Sequence, residues 1–192
     1  LINALEANDY AVYDGTQPLT APINHSPMTY GGTGLIPPDK EWNKPYSPLF
    51  KYSWKTVYPA LLEAEKVNDV NIFDGIIMQY SNPLTGGHVM QTMGASIQLL
   101  PKGFKGKAHK HTGSFVYQCA KGKGYTIING KRFDWKERDI FCVPSWAWHE
   151  HHNLSDTEDA CLFSFNDLPV IESLGLYQEK VFEDNGGNQT IS

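Results

Sequence analysis

The sequence predicts an all-β domain, an antiparallel barrel or sandwich, with an extended N-terminal arm and one or two short helices. Three observations lead there. From Met93 onward, short apolar or β-branched runs alternate with Gly, Pro, Asp or Asn, six of them within about 75 residues. Asn129-Gly130 separates two of these runs, and a type I′ hairpin turn, which needs φ > 0 at both central positions, favours that dipeptide. Before residue 92 the composition differs, being dense in turn formers around a single helical pattern.

The elements follow in order. Residues 11–50 carry Pro18, Pro22, Pro27, Gly31, Gly32, Gly34, Pro37, Pro38, Pro45 and Pro48, a density that opposes regular structure and reads as an arm laid over a surface. Tyr30, Trp42, Tyr46, Phe50, Tyr52 and Trp54 would anchor it by burying large rings. A helix opens at Thr56, carries Leu61, Leu62, Ala64 and Val67, and stops at Asn68-Asp69. The strands are Ala95–Leu100, Phe115–Ala120, Tyr125–Ile128, Lys131–Trp135, Ile140–Val143 and Ala160–Phe165. The polar stretch Asp184–Ser192 reads as a fraying tail. The chain therefore divides into 1–91 (arm, helix and a first strand, packing on the barrel or a partner), 92–182 (barrel) and 183–192 (flexible tail).

Composition narrows the function. The 192 residues are 41% hydrophobic and 12% aromatic, enough for a bulky core and too aromatic for a disordered chain. A formal net charge of −5 gives no general affinity for nucleic acid or an anionic membrane. No apolar stretch reaches the roughly 18 residues of a membrane span. Cys119, Cys142 and Cys161 lack CxxC spacing and sit in apolar runs, as buried reduced thiols of a cytoplasmic protein do. The chain starts at Leu1 rather than Met and shows no signal peptide, which reads as a protein with residues missing upstream.

Five of seven histidines fall in two groups. His109-Lys110-His111 places two imidazoles on one face of a strand, since residues two apart share a face. The second group is Pro144-Ser145-Trp146-Ala147-Trp148-His149-Glu150-His151-His152-Asn153. Two ligands from one strand and His149 from another, about 40 residues on, would make a three-histidine metal face that leaves positions open for substrate and dioxygen. His151 shares the parity of His149 and is a candidate acid–base or a plain hydrogen-bonding group, whereas Glu150 and His152 point the other way. Trp148 is a candidate for stacking on an aromatic substrate, against the plainer reading that alternating aromatics belong to the core. His25 and His88 read as solvated loop residues. Lys102, Lys105, Lys107, Lys110, Lys121 and Lys123 form either a solvated face or a field that attracts an anionic acid.

These motifs resemble a known family. Gly103, His109-x-His111 and the turn at Gly122 and Gly124 look like the first cupin motif, and Pro144-x-Trp146-x-x-His149-x-x-x-Asn153 like the second, with Trp146 in the place of its usual glycine. The usual motif-one glutamate falls at Phe115 or Val116, which favours a three-histidine centre. The runs around His109-Lys110-His111-Thr112-Gly113-Ser114, Val143–His151, Leu162–Pro169, Leu174–Glu179 and Tyr80–Gly87 are similar to gentisate 1,2-dioxygenases, over roughly residues 45–180. Relatives acting on salicylate or 1-hydroxy-2-naphthoate share them.

The resemblance implies a cupin double-stranded β-helix, a jelly-roll barrel. It implies Fe(II), or another divalent metal, held by His109, His111 and His149, with His151 as the catalytic side chain. It also implies Gln98 and Asp167 as pocket residues, and Tyr117 where the catalytic cupin of the family carries an arginine that anchors the substrate carboxylate. Arg132 or Lys110 are the candidate replacements. The implied reaction takes a small aromatic acid and O2, chelates the acid through its carboxylate and ortho hydroxyl, and opens the ring between those two carbons. The family is built as bicupins, and this chain matches the C-terminal half, so a missing N-terminal half or a homo-oligomer is the expected partner. A non-catalytic, structural cupin half is the alternative.

Overall fold

The computed structural model describes residues 25–32, 34, 38, 42 and 44–192, so the arm's Pro18, Pro22 and Pro37 lie outside the described residues. Among the described residues are three α-helices, α1 (His25–Tyr30), α2 (Trp54–Val67) and α3 (Leu168–Ser173). The same residues form ten strands, β1 (Ile76–Gln79), β2 (Gly94–Leu100), β3 (His109–His111), β4 (Phe115–Lys121), β5 (Lys123–Ile128), β6 (Lys131–Lys136), β7 (Ile140–Val143), β8 (His149–Asn153), β9 (Ala160–Asn166) and β10 (Glu179–Val181). Two antiparallel five-stranded sheets result, ordered β1-β2-β9-β4-β7 and β10-β3-β8-β5-β6. Apart from the pairs β1-β2 and β5-β6, successive strands alternate between the sheets, giving the jelly-roll barrel that the resemblance implies. Between β5 and β6, Asn129 (φ 47°) and Gly130 (φ 77°) make the left-handed turn expected of that dipeptide.

Period two sorts the side chains. On the first sheet Gln98 lies opposite Leu162, and Tyr117 opposite Ser164. With Leu100, Phe115 and Cys119 they face the barrel interior, where Trp135, Val143, Ala147 and Ile128 close the core. The opposite face of that sheet, Ile76, Ile97, Leu99 and Cys161, is covered by Leu61 of α2, which is fully buried and contributes on the order of 2 kcal/mol of apolar burial. Tyr58 of α2 adds a polar tie, donating to Asp159 Oδ2 at 2.9 Å while Lys121 pairs with the other oxygen at 3.0 Å.

Several expectations are corrected. Helix α2 begins two residues before Thr56, because the Ser53 carbonyl already accepts from Thr56 N and Val57 N at 2.9 Å. His25 lies on α1, and His88 pairs with Glu172 at 2.9 Å instead of standing in solvent. Cys119 and Cys161 are buried, but Cys142 is exposed. The tail is pinned rather than frayed. Gln189 donates its backbone N–H to Glu150 Oε2 at 3.0 Å and its side-chain N–H to Ile127 O at 3.1 Å, and it accepts from Gly130 N at 2.9 Å. Polar composition suggested a loose end, but those polar groups satisfy backbone and carboxylate groups on the outer face of the second sheet. The arm is held at its C-terminal part: Ser47 N donates to Val89 O at 2.7 Å, and Tyr52 packs edge-on to Tyr80 at 5.2 Å. No helix among the described residues is long and apolar enough to cross a membrane.

Candidate metal centre

His109 and His111 project from β3 to the same side, and β8 presents His149 opposite His109. One potential ligand nitrogen from each of the three lies within 4.8 Å of the others. All three rings are buried, at 2%, 8% and 0% exposure. Their backbone neighbours set the tautomers. His149 Nδ1 lies 3.0 Å from Ala147 O and His111 Nδ1 lies 3.2 Å from Thr112 O. A carbonyl can only accept, so both Nδ1 atoms carry the hydrogen and both Nε2 atoms keep a lone pair. His149 Nε2 and His109 Nδ1 are buried and make no hydrogen bond. Burial first, then mutual repulsion, holds His109 down to about 4 and His149 well below 6.5. Buried, neutral imidazoles with unpartnered lone pairs are the donor set that a divalent metal needs, and three neutral ligands leave the ion free to take an anionic chelate.

The cradle depends on backbone detail. Trp146, at the position of the usual motif glycine, adopts φ 63°, the left-handed conformation that glycine takes most easily, and its N–H donates to His111 O at 2.9 Å. On the other edge β10 pairs with β3, with Glu179 opposite His111 and Val181 opposite His109. The C-terminal segment thus clamps the strand that carries His109 and His111.

Around this face the predicted residues separate. His151 is fully buried on the same side as His149, with ring centroids 5.7 Å apart, and burial lowers it to about 3. Tyr117 is buried, stacked on Phe141 at 5.1 Å and 4.8 Å from the His151 ring. Gln98 is buried and donates to Asp74 Oδ1 at 2.6 Å, while its own Oε1 has no partner. Asp167 lies exposed at the start of α3, accepting from Ser114 N at 2.8 Å, so its observed role is to tie the turn after β3. Trp148 packs edge-on to Phe182 at 5.0 Å and, with Trp146, holds the Lys110 ammonium 4.5 Å from each ring. Lys110 points away from its histidine neighbours by strand parity, which puts this aromatic clasp on the outer side. Arg132 ion-pairs with Asp134 and lies over Tyr125 at 3.8 Å, also on the outer side. Neither proposed replacement anchor reaches the histidines.

Asp74 was not anticipated from the sequence. It precedes Gly75 in a turn closed by Asn71 and Gly75, and the neighbouring Phe73 meets the His109 ring edge-on at 5.0 Å. Burial, then the charge of Glu179, raises its carboxyl to about 7 against the hydrogen bond from Gln98. The one local signal was the Asp-Gly turn pair, which marks a turn but not the direction of its side chain. Among the described residues, no lysine or arginine side chain bonds to His109, His111, His149, His151, Gln98 or Asp74.

Fold and site together define a cupin. The cupin domain family matches residues 96–166, which hold β2 through β9 and all three clustered histidines. The relatives are more particular. The chain is 40% identical over 146 residues to 5-aminosalicylate 1,2-dioxygenase of a Comamonas species, covering 76% of this chain and 38% of that one. It is 37% identical over 163 residues to gentisate 1,2-dioxygenase 1 of Aquipseudomonas alcaligenes, covering 85% and 46%. Among solved structures, salicylate 1,2-dioxygenase from Pseudoaminobacter salicylatoxidans in complex with gentisate superposes with a TM-score of 0.74 at 28% identity, covering 81% of this chain and 44% of that one. The chain carries a cupin domain similar to those of the gentisate and salicylate 1,2-dioxygenases, and it spans somewhat under half the length of those relatives.

Proposed function

We propose that this chain holds Fe(II) through His109, His111 and His149 and serves the ring-cleaving oxygenation of a hydroxy-aromatic acid of the gentisate class, in the cytoplasm. The observation that carries this reading is the set of three buried, neutral imidazoles with free lone pairs on one face of a cupin barrel. The iron, when bound, supplies open coordination positions for the acid and dioxygen and the electrons that activate them. The chain's own residues bind and exclude water. Phe73 and Phe115 press on the His109 and His111 rings at 5.0 and 4.7 Å, which keeps the centre dry. His151 offers a buried ring nitrogen with no other partner, suited to hydrogen-bonding an oxygen in the chamber. Gln98 Oε1 is a second unpartnered group, an acceptor for a ring hydroxyl or amine. The share of the relatives' length that this chain lacks supports a second cupin half, or a second copy, as its partner.

A second reading has its own support. Tyr117 stands where the family's carboxylate-anchoring arginine would, and Asp74 and Glu179 make the surroundings acidic, which opposes an aromatic carboxylate. A metal-holding but non-catalytic half would look like this. Anaerobic loading with Fe(II), followed by O2 and gentisate, 5-aminosalicylate, salicylate or 1-hydroxy-2-naphthoate, separates the two. Stoichiometric iron with a ring-cleaved chromophore, both lost in His109→Ala, supports the enzyme. Stoichiometric iron without product from any of the four acids leaves the structural reading, and no iron at all overturns both.

A further inference from the structure

One inward-facing group near the metal centre is wired differently from the three ligands. Period two puts Thr126 of β5 on the inner face, directly opposite His151 of β8. Trp135 of β6 lies opposite Gly124, and its ring occupies the space that a side chain at 124 would fill: a Cβ there would fall 2.3 Å from Trp135 Cη2. Thus seated, Trp135 Nε1 donates to Thr126 Oγ1 at 3.0 Å, and Thr126 Oγ1 lies 2.8 Å from His151 Nδ1. Thr126 and His151 are both fully buried, and Trp135 is nearly so.

The polarity of this chain follows from counting hydrogens. An indole N–H only donates, so one lone pair of the threonine oxygen is taken. The hydroxyl has a single hydrogen, and His151 Nδ1 is its only acceptor among the described residues. Were the ring to donate instead, that hydroxyl hydrogen would be buried without a partner, an arrangement that folded proteins avoid. His151 therefore keeps its lone pair at Nδ1 and its hydrogen at Nε2, the nitrogen that is buried and unpartnered in the chamber. His149, two residues earlier on the same face, is the reverse, because the Ala147 carbonyl takes its Nδ1 hydrogen.

We propose that Trp135 and Thr126 are positioning residues that fix His151 as a hydrogen-bond donor toward the metal's open face, so that it cannot serve as a fourth ligand. The proposal deepens the metal-centre reading given above and rests on it only for the ligand's identity. It explains why a strand with two consecutive inward histidines contributes a single one to the metal group.

The test uses the full chain, metal-free and then loaded with Co(II), with azide as an anionic probe. Long-range ¹H–¹⁵N spectra of ¹⁵N-histidine protein, with His151 assigned by its loss in His151→Phe, should show Nε2–H for His151 and Nδ1–H for His149. Thr126→Val should move the His151 Nδ1 resonance toward the value of an unbonded imidazole nitrogen, and Thr126→Ser should restore it. Azide affinity should fall about tenfold in Thr126→Val and stay within about twofold in Thr126→Ser, with cobalt stoichiometry unchanged in both. An Nδ1–H signal for His151 in the wild type, or a Thr126→Val resonance that does not move, overturns the proposal even if the variant proves unstable. A chain that binds no cobalt yet shows the expected tautomers refutes the metal reading and leaves the wiring intact.

Discussion

Trp146 is the residue where a family pattern and a backbone angle explain one another. The motif calls for glycine because the chain must turn left-handed there, and Trp146 adopts that conformation at φ 63° despite its side chain. What it gains is the indole face that clasps Lys110. Replacing it separates the two effects: Trp146→Gly and Trp146→Ala lose the same ring, but only glycine relieves the backbone. The glycine variant should be more stable than the alanine variant by about 1 kcal/mol in urea unfolding. The titrating groups make a second prediction. His109 is lowered from 6.5 to about 4, so the unfolded chain binds a proton that the folded site refuses, and stability falls as pH drops below about 6.5. Asp74 is raised from 3.8 to about 7, so its contribution favours the folded state at low pH and is lost as pH rises toward 7. The two oppose over nearly the same window. Asp74→Asn removes one side, and the metal-free variant should lose roughly 2 kcal/mol more than wild type between about pH 7.5 and about pH 4.5, since solvent partly screens the half-buried carboxyl. Equal pH profiles for the two chains would refute the assignment.

At the scale of elements, the C-terminal segment carries more than its composition suggests. β10 completes the sheet beside β3, Ala108 N donates to Gly187 O at 2.7 Å, and Gln189 caps the outer face over Glu150. Gln189→Ala removes two side-chain hydrogen bonds to backbone groups and should cost about 1–3 kcal/mol in unfolding free energy. Deleting residues 176–192 strips β3 of its outer neighbour and should weaken metal binding at least about tenfold, measured by competition with a chromophoric chelator. Most of this was hidden in the sequence. β10 is only three residues long, and a strand that short carries no readable alternation. By contrast β4, β5 and β9 show clear runs bounded by turn formers, and their observed bounds lie within two residues of those expected.

Across the whole molecule, charge is arranged differently from what a linear reading suggests. The six lysines between 102 and 123 look like one field, yet three are occupied: Lys107 by Gly186 O and Asn188, Lys110 by two indole rings, and Lys121 by Asp159. The exposed Lys102, Lys105 and Lys123 remain on a chain of net charge −5. Neutralising all three to glutamine should change the apparent affinity for an anionic aromatic acid by less than about twofold, as expected of exposed charges screened by solvent. A larger loss would restore the steering field that the sequence suggested.

The division between what could be read and what could not follows from the range of the interactions. Short-range chemistry was legible: alternation within a strand, the Asn129-Gly130 turn, and the pairing of His109 with His111 on one face all act over a few residues. The sequence by itself therefore determined the two-sheet β architecture and the grouping of His109, His111 and His149. Direction across strands was not legible. That Asp74 meets Gln98, that Trp148 and Lys110 face outward, and that Trp135 reaches Thr126 depend on register between segments far apart in the chain, and a slip of one residue would reverse every face. Those facings, and with them the acidic and anchor-free character of the chamber, were decided only when the sheets packed.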